Sequence, residues 1–393
     1  MSADAPTGAT AIEVSVVLPC LNEADTLASC IRKAQDGLAR TGVPGEVIVA
    51  DNGSTDGSVE IARGLGAIVV AVPIRGYGNA LMKGIEISQG RFVVMGDADD
   101  SYDFGEIPRF VAKLREGHEL VQGCRLPSGG GVVHAGAMPF WHRWLGNPVL
   151  SFIARTWFST PLHDVYCGMR AFTRELYDRL DLRCTGMEYA TEMIIKASFA
   201  GARTAEIPIT LHPDGRRSHP GHLRTFRDGW RTLRLFLLYS PTWLFLVPGG
   251  VLAAVGLAGY ALAMPGTVVG GARLDAHTLM VSSLAVICGY QSVLFAVFTK
   301  TFAVAEGLLP SDGRFRRFAS FDLERGLVGG LAALLVGLGL IAYAAYDWRS
   351  TGFGPLDYGY TMRWVIPGVT LAVIGFQTVL ASFFLSVLGM RRK

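Results

Sequence analysis

The sequence has little charge and few cysteines. Only 18% of its 393 residues are charged and the formal net charge is +3, which is too small to argue for nucleic acid as a partner. The six cysteines are scattered without a Cys-x-x-Cys pair, so neither a zinc site nor a disulfide framework is indicated. Residues 1–10 lack both a basic region and an apolar signal core. This predicts a flexible N-terminus over 1–11 and an N-terminal half that is not secreted.

Long apolar runs are absent before Arg234 and frequent after it. Half of all residues are hydrophobic and the mean hydropathy is +0.34, which is high for a soluble domain. The uncharged stretches that are long enough to cross ~30 Å of hydrocarbon are 235–272, 278–299, 326–346 and 364–390. The sequence therefore predicts a transmembrane domain of four helices over 241–390.

Lysine and arginine are unevenly distributed among the predicted loops. They cluster in the segment that enters the first span, in the loop after the second span and in a basic tail over 391–393. The remaining loops hold only Arg273, Arg349 and Arg363. By the positive-inside rule the clustered loops lie in the cytoplasm. We expect an integral protein of a prokaryotic plasma or inner membrane whose N-terminal domain faces the cytoplasm.

Apolar runs of strand length alternate with helical stretches over the first hundred residues. The predicted strands are 14–20, 46–50, 67–72 and 91–95, and the predicted helices are 23–39, 55–63 and 79–88. This alternation is typical of a parallel sheet, which binds ligands beyond the carboxyl ends of its strands. Polar motifs fall there, at 19–23, 51–57 and 97–99.

Asp97 and Asp99 follow the predicted strand 91–95 directly. At i and i+2 of a strand end, two carboxylates point to one side and can hold one divalent cation that bridges a diphosphate. With Asp100 they could instead form a solvated acidic turn. Crowded carboxylates repel unless a cation offsets their charge, so the spacing favours a Mg²⁺ or Mn²⁺ site for a nucleotide sugar.

The order and spacing of several motifs resemble family 2 glycosyltransferases of the GT-A fold. The segments that carry the resemblance are Val17-Leu18-Pro19 with Asn22-Glu23, residues 51–57, Gly76-Tyr77-Gly78 with Ala80 and Gly84, and Asp97-Ala98-Asp99. Later segments are similar to the dolichyl-phosphate mannose synthase group of polyprenyl-phosphate glycosyltransferases, namely Gly123-Cys124-Arg125, Asp164 with residues 167–170, and Arg216 with His222. The mannose synthases often have Gln where this chain has Ser101, so a hydroxyl or water would fill that metal position.

The resemblance implies a cytoplasmic α/β GT-A domain (Rossmann-like) over 12–213, followed by interfacial helices, a basic juxtamembrane segment over 214–240 and the four transmembrane helices. It implies an inverting, metal-dependent transfer of a sugar from a UDP- or GDP-sugar to undecaprenyl or dolichyl phosphate. The acceptor oxygen is already anionic, so the protein mainly has to position the substrates and neutralise charge.

The resemblance also implies roles for individual residues. The expected nucleotide-binding residues are Pro19, Leu21, Glu23, Asp51, Ser54, Gly78 and Asp97, and the expected metal ligands are Asp97 and Asp99. The acceptor phosphate would meet Arg125, Arg143, Asn147, Arg216, Arg217 and His222. The catalytic candidates are Asp99, Arg125 and Arg216.

Several of these residues also have a purely structural interpretation. Asp51 could cap a turn rather than recognise the base, and for Asp56 the turn role is preferred. Glu23 could simply favour a helix N-terminus, and Gly76 with Gly78 could mark a turn. Basic residues near the membrane usually contact lipid headgroups.

Other segments allow two interpretations as well. Residues 141–158 have the pattern of an interfacial helix on the bilayer. Glu188 and Glu192 could contact the sugar or face solvent. Gly329, Gly330, Gly337 and Gly339 would allow close helix approach, including a possible homo-oligomer.

Two alternative functions remain open from the sequence. A processive polysaccharide synthase would carry a Gln-x-x-Arg-Trp segment, and the nearest match, 360–364, has Tyr360 in place of Gln. A membrane scaffold that binds nucleotide sugar without turnover would have lost the metal ligands or the basic clamp, and both are present.

Overall fold

The computed structural model describes residues 11–218, 225–310 and 323–389. The chain forms two compact units, Met1–Phe236 and Leu237–Lys393. The strands of the first unit are β1 (Val14–Cys20), β2 (Gly45–Asp51), β3 (Ile68–Ala71), β4 (Phe92–Met95), β5 (Leu120–Cys124), β6 (Val132–Val133), β7 (Arg170–Thr173), β8 (Thr204–Pro208) and β9 (Thr210–Leu211). Its helices are α1 (Leu27–Thr41), α2 (Ser58–Gly64), α3 (Tyr77–Ile87), α4 (Ile107–Arg115), α5 (Asn147–Phe158), α6 (Arg174–Leu180) and α7 (Tyr189–Phe199), and it includes α8 (Thr225–Tyr239) up to Phe236.

The main sheet of this unit has the strand order β3-β2-β1-β4-β7-β5-β8. Strands β1 to β4 pair in parallel, as predicted, whereas β7 is antiparallel to both of its neighbours. Strands of a sheet covered on both faces are apolar along their whole length, and Val14, Val16 and Val17 are fully buried. The structure confirms the α/β GT-A architecture, and it places the carboxyl ends of β2, β1 and β4 side by side.

Helix α1 begins later than the sequence predicts. Its buried residues Leu27, Ile31 and Leu38 recur at helical spacing, which is why the segment forms a helix against the sheet. The helix starts at Leu27 and not at residue 23, because Asn22 takes a left-handed conformation with a φ of 58° and the next residues form a turn. That turn brings Glu23 and Thr26 to the edge of the sheet where the polar motifs meet.

The second unit consists mainly of long apolar helices. Within the described residues four helices are long and apolar enough to cross a membrane, namely Thr242–Ala263, Ala276–Ala305, Leu323–Ser350 and Tyr358–Gly389. The four predicted spans are therefore confirmed. The first span is shorter than the uncharged run 235–272, because α8 ends at Tyr239 and a short hairpin pairs Val268–Val269 with Ala272–Arg273.

Glycines of the third span serve packing within the chain. A Cβ atom added at Gly337 would lie 2.4 Å from the backbone nitrogen of Ala372, and one at Gly330 would lie 2.9 Å from the carbonyl oxygen of Gly375. Both contacts are with the fourth span. Because only glycine allows backbones this close, these two positions explain the tight pairing of the two helices. The homo-oligomer stays a prediction.

Candidate active site

Asp97 and Asp99 lie on a turn after β4. The strand ends at Met95, as predicted, so the turn and not strand alternation sets the directions of the two carboxylates, and their common direction stays a prediction. Asp100 has a φ of 64°, and its carboxylate accepts a hydrogen bond from Lys33 Nζ of α1 at 2.8 Å. The Asp100 carboxylate is therefore held by α1, through a contact that is separate from those of Asp97 and Asp99.

The carboxylate of Asp99 has two partners from different segments. The hydroxyl of Ser101 donates to Asp99 Oδ1 at 2.5 Å, and Arg216 Nη1 lies 3.2 Å from Asp99 Oδ2. Ser101 thus orients Asp99 in this structure. The contact with Arg216 joins the predicted metal turn to the predicted acceptor segment.

The carboxylate of Asp97 is enclosed on two sides. The hydroxyl of Tyr77 donates to Asp97 Oδ1 at 2.9 Å, and a Cβ added at Gly168 would lie 2.5 Å from Asp97 Oδ2. Burial, and then the neighbouring charge of Asp99, raise the pKa of Asp97 from its ordinary value of 3.8 to about 6. Two repelling carboxylates with one raised pKa form a donor set whose charge a divalent cation would offset.

A divalent cation fits this donor set only with further ligands. Within the described residues no three His, Cys, Asp or Glu side chains come together as a metal site. Asp97 and Asp99 would therefore hold a Mg²⁺ or Mn²⁺ together with oxygen atoms of a diphosphate or of water, as hard cations prefer.

The loops after β1 and β2 are bound to each other. Asp51 accepts hydrogen bonds from the backbone nitrogens of Gly53 at 3.2 Å and Ser54 at 3.1 Å. The hydroxyl of Ser54 accepts from the backbone nitrogen of Asn22 at 2.8 Å. Pro19 and Leu21 stand at the end of β1 and directly after it. The structure thus brings four of the predicted nucleotide-binding residues to one edge of the sheet, and Asp51 already shapes the turn there.

Asp56 has the turn role that was preferred for it. Its carboxylate accepts hydrogen bonds from the backbone nitrogens of Ala24 at 2.9 Å and Ser58 at 3.1 Å. These bonds hold the start of α2 against the loop after β1, so the preferred interpretation is confirmed.

Arg216 joins the donor side to the acceptor segment through ion pairs. Its Nε donates to Glu23 Oε2 at 2.8 Å and its Nη2 to Glu23 Oε1 at 2.5 Å. Glu23 is only 4% exposed. Next to this pair, Asp25 accepts from the backbone nitrogens of Arg217 and Ser218, both at 2.9 Å. Segment 214–218 is therefore fixed on the turn that precedes α1, with the Arg217 side chain exposed.

Arg125 makes a buried ion pair with Asp164. Its Nε and Nη2 donate to the two carboxylate oxygens at 2.8 and 2.9 Å, and its Nη1 donates to the hydroxyl of Tyr102 at 3.3 Å. Bidentate pairs of this kind fix the guanidinium plane. The charges of Arg216 and Arg125 both act to lower the pKa of Asp97, so the structure brings the two expected phosphate-binding arginines near the carboxylates.

Arg143 and Asn147 lie one turn apart on the predicted interfacial helix. A π-helical turn, His142–Gly146, leads directly into α5, which confirms the helix. Arg143 stacks over the ring of Trp144 at 5.3 Å, and Asn147 Nδ2 donates to Met138 Sδ at 3.3 Å. Burial and the charge of Arg125 lower the pKa of His142, which places the start of this helix near Arg125. His222 lies outside the described residues.

The exposed side of this helix is aromatic. Trp141, Trp144 and Phe152 are 68%, 59% and 63% exposed. Its other side is anchored, since Phe158 packs on the fully buried Phe236 of α8 with ring centroids 5.4 Å apart.

The two glycines around Tyr77 have a role that the sequence did not indicate. Cβ atoms added at Gly76 and Gly78 would lie 2.3 Å from the carbonyl oxygens of Thr185 and Cys184. The glycines therefore admit a neighbouring loop, and Gly76 also has a φ of 152°. Gly78 was expected to allow close approach of the nucleotide. Here its lack of a side chain is required by chain packing.

Glu192 is a second residue with an unexpected role. It is 1% exposed, lies 2.9 Å from Lys196 Nζ, and accepts hydrogen bonds from the backbone nitrogens of Arg183 and Cys184 at 3.0 and 2.8 Å. The solvent-facing interpretation is therefore wrong for Glu192. The spacing of Glu192 and Lys196 in the sequence indicates an i, i+4 pair. No sequence pattern around Glu192 indicates its hydrogen bonds to the loop at Arg183 and Cys184.

Comparisons with known proteins give a consistent result. Residues 15–181 match the glycosyl transferase family 2 domain, and residues 297–389 match the glycosyltransferase family 2 C-terminal transmembrane region. The low-salt glycan biosynthesis hexosyltransferase Agl6 of Haloferax volcanii is 36% identical over 382 residues, which cover 96% of this chain and 89% of that protein.

Two further proteins match part of this chain. A dolichyl-phosphate hexose transferase of Haloferax volcanii is 32% identical over 201 residues, covering 50% of this chain and 82% of that protein. A glucosyl-3-phosphoglycerate synthase of Mycobacterium tuberculosis, solved with Mn²⁺, UDP and glucosyl-3-phosphoglycerate, superposes with a TM-score of 0.45 at 26% identity, covering 58% of this chain and 79% of that one.

Proposed function

The chain belongs to glycosyltransferase family 2, and we propose that it transfers a hexose from a nucleoside-diphosphate sugar to a polyprenyl phosphate on the cytoplasmic face of a membrane. A phosphate oxygen of the lipid attacks the anomeric carbon as the bond to the diphosphate breaks. The anomeric centre is inverted in this single displacement. The products are a polyprenyl monophosphosugar and a nucleoside diphosphate.

The observation that carries the proposal is the contact between Arg216 and Asp99. The Arg216 guanidinium lies 3.2 Å from the Asp99 carboxylate on the predicted metal turn. The diphosphate and the acceptor phosphate would meet at this position. Arginine is suited to phosphate because its planar fork can donate two parallel hydrogen bonds. Glu23 holds the same guanidinium from the side of the nucleotide loop.

The protein's own groups act by positioning and by neutralising charge. Asp97 and Asp99 would hold Mg²⁺ or Mn²⁺, which supplies Lewis-acid stabilisation of the leaving diphosphate. Arg125 and Arg216 would balance the negative charge of the two phosphate groups. No general base is required, because the attacking phosphate oxygen is already ionised at neutral pH.

The membrane assignment of the acceptor is supported by the exposed aromatic side of residues 141–158. Tryptophan prefers the headgroup depth of a bilayer, and a helix lying at that depth would bring Arg143 and Asn147 to the level of the lipid phosphates. Of the relatives described above, one is named a hexosyltransferase and another a dolichyl-phosphate hexose transferase. The basic loops support a cytoplasmic catalytic unit.

The processive synthase is the weaker candidate. The nearest match to its Gln-x-x-Arg-Trp segment lies in the fourth span, where Arg363 Nη2 is 3.3 Å from Asp275 Oδ1. A side chain in an ion pair of the transmembrane unit, on the predicted outer side, does not serve a cytoplasmic acceptor site.

A transfer assay tests the proposal. Purified protein in detergent is incubated with radiolabelled UDP-glucose, GDP-mannose or UDP-N-acetylhexosamine, with undecaprenyl or dolichyl phosphate, and with Mn²⁺ or EDTA. We expect label in the organic phase from one donor, a UDP-sugar being tried first, and only with Mn²⁺. Release of nucleoside diphosphate without labelled lipid would contradict the acceptor assignment.

A further inference from the structure

Tyr77 was not among the expected site residues, yet its side chain contacts Asp97 directly. It opens α3, far from the acidic turn in sequence, and its hydroxyl donates to Asp97 Oδ1 at 2.9 Å. The carboxylate of Asp97 is also enclosed on the side of its other oxygen by Gly168. A hydrogen bond from the Tyr77 hydroxyl to one carboxylate oxygen therefore fixes the direction of the carboxylate.

The position of Tyr77 is fixed on one side by the loop after β2. The backbone nitrogen of Gly76 donates to Asn52 Oδ1 at 2.7 Å. Asn52 is 6% exposed, and its Nδ2 donates to the carbonyl oxygens of Val72 at 3.2 Å and Ile74 at 3.0 Å. One buried amide thus holds the chain that leads into Tyr77 at three points.

The loop before α7 fixes the other side. The carbonyl oxygen of Thr185 accepts from the backbone nitrogen of Asn79 at 3.3 Å, and Gly76 and Gly78 let this loop come within contact of α3. Glu192 in turn holds the loop through the backbone nitrogen of Cys184. The first turn of α3 therefore has little freedom to move, and the hydroxyl of Tyr77 keeps one direction.

A buried arginine holds the neighbouring segments in place. Arg170 is fully buried and donates to the carbonyl oxygens of Ala190 at 2.6 Å and Cys167 at 2.8 Å. Ala190 belongs to α7, and Cys167 precedes Gly168, which lies against Asp97. Arg170 therefore joins α7 to the segment that encloses Asp97.

We propose that Tyr77 is a positioning residue for the divalent cation: its hydroxyl, held in place by the close packing of Gly76 and Gly78 at the start of α3, orients the carboxylate of Asp97 to ligate the metal. The inference rests on the proposed metal-dependent function. It assigns the Gly-Tyr-Gly segment to the metal site and not to contact with the nucleotide.

The test compares Tyr77→Phe with Tyr177→Phe in the full-length protein. Both tyrosines are half-buried in the same unit. The Tyr177 ring stacks on Phe172, and its hydroxyl faces Tyr189 and not a carboxylate of the acidic turn, so the control also loses one hydroxyl contact. Free Mn²⁺ is counted by electron paramagnetic resonance with UDP present, and with GDP in a parallel series. We expect Tyr77→Phe to raise the Mn²⁺ dissociation constant about tenfold, the range for losing a hydrogen bond to a charged group, at unchanged nucleotide binding in EDTA. Tyr177→Phe should match the wild type.

The outcomes separate this inference from the proposed function. If the wild type itself binds no Mn²⁺ with either nucleotide, the metal-dependent function fails. If the wild type binds Mn²⁺ and Tyr77→Phe binds it equally well, only the role of Tyr77 is overturned.

A thermal double-mutant cycle in EDTA provides a second measurement that does not depend on metal binding. The hydrogen bond predicts that Tyr77→Phe lowers the melting temperature less in an Asp97→Ala background, which has no side-chain acceptor, than in the wild type. If Tyr77→Phe alone is too unstable to purify, recovery of folding in the double variant would support the hydrogen bond. Equal effects in both backgrounds, or equal failure to fold, would overturn it.

Discussion

The proposed donor and acceptor sides of the N-terminal unit, called the donor side and the acceptor side, are built in different ways. On the donor side, side chains bind the backbone of neighbouring loops, as Asp51, Asn52 and Ser54 do. On the acceptor side, segment 214–218 is held largely by carboxylates of the donor side, with Glu23 on the Arg216 side chain and Asp25 on the backbone. The donor side is preformed by the fold, whereas the acceptor side is charge-paired to it.

The two sides should therefore respond differently to substitution. Hydrogen bonds within the loops after β1, β2 and β4 are part of the sheet edge, so changing them would alter the fold. The ion pair of Glu23 with Arg216 is almost fully buried, so a change at one partner leaves the charge of the other unpaired next to the site. Substitutions made on one side at a time test this contrast.

The largest expected effect is at the metal carboxylates. Asp97→Asn should lower transfer more than about 100-fold, because the cation loses a charged ligand. A matched Asp36→Asn on α1, away from the site, should leave the rate unchanged. Transfer is measured with saturating donor and Mn²⁺. A variant that retains wild-type Mn²⁺ dependence would show that Asp97 is not a ligand.

Asp97 should also influence stability, with a defined pH dependence. The folded state binds the Asp97 proton more tightly than the unfolded chain, since the pKa rises from 3.8 to about 6. Ionisation of Asp97 therefore destabilises the folded state as pH rises through that window. In EDTA we expect Asp97→Asn to melt at a higher temperature than the wild type at about pH 7.5, and the difference to shrink at about pH 5. A lower melting temperature at both pH values would contradict this.

The next effect in size comes from Gly168. A methyl group there would lie 2.5 Å from Asp97 Oδ2, so Gly168→Ala should displace the carboxylate and lower metal-dependent transfer by about 10- to 100-fold. Gly64→Ala is the control, because a Cβ at Gly64 meets no atom within 4 Å. The rate is measured against Mn²⁺ concentration. If both variants titrate as the wild type does, Asp97 is not held at that position.

A smaller effect, confined to the acceptor, is expected at Glu23. Glu23→Gln removes the charge that aims Arg216, so the KM for polyprenyl phosphate should rise about five- to tenfold while the KM for the donor changes little. Glu60→Gln, an exposed carboxylate on α2, serves as the control. An increase only in the donor KM would place Glu23 in the nucleotide pocket instead.

The smallest effect is expected on the aromatic side of residues 141–158. Trp144→Ala removes a 59% exposed ring and should raise the KM for polyprenyl phosphate about two- to fivefold in vesicles. Ile74→Ala removes a 69% exposed side chain elsewhere in the unit and should have no effect. Equal behaviour of the two variants would argue against a membrane contact at this helix.

Much of the fold could be predicted from the sequence because its signals are local. The parallel strands are apolar runs followed by polar motifs, and the four spans are uncharged stretches of sufficient length. The acidic turn and Arg216 were also found from short motifs. The exact geometry of the turn was not, since α1 shapes it through Lys33 and Asp100, which are distant in sequence.

The supporting residues could not be predicted for the same reason. Gly168 touches Asp97, and Cys184 with Thr185 touches the glycines at the start of α3, yet no spacing in the sequence connects these segments. Asn52 lies within a recognised motif, but its role is to hold Gly76. Such contacts depend on the order of strands in the sheet, which places β7 between β4 and β5.

The proposed transfer to a lipid phosphate is tested most directly by identifying the oxygen atom that accepts the sugar. Labelled donor, Mn²⁺ and the full-length protein are incubated with polyprenyl phosphate or with the free polyprenol of equal chain length, and label is followed into lipid and into polymer. We predict labelled lipid from the phosphate alone, with nucleoside diphosphate released in equal amount. Label on the free alcohol, or label in a polymer without lipid phosphate, would contradict it.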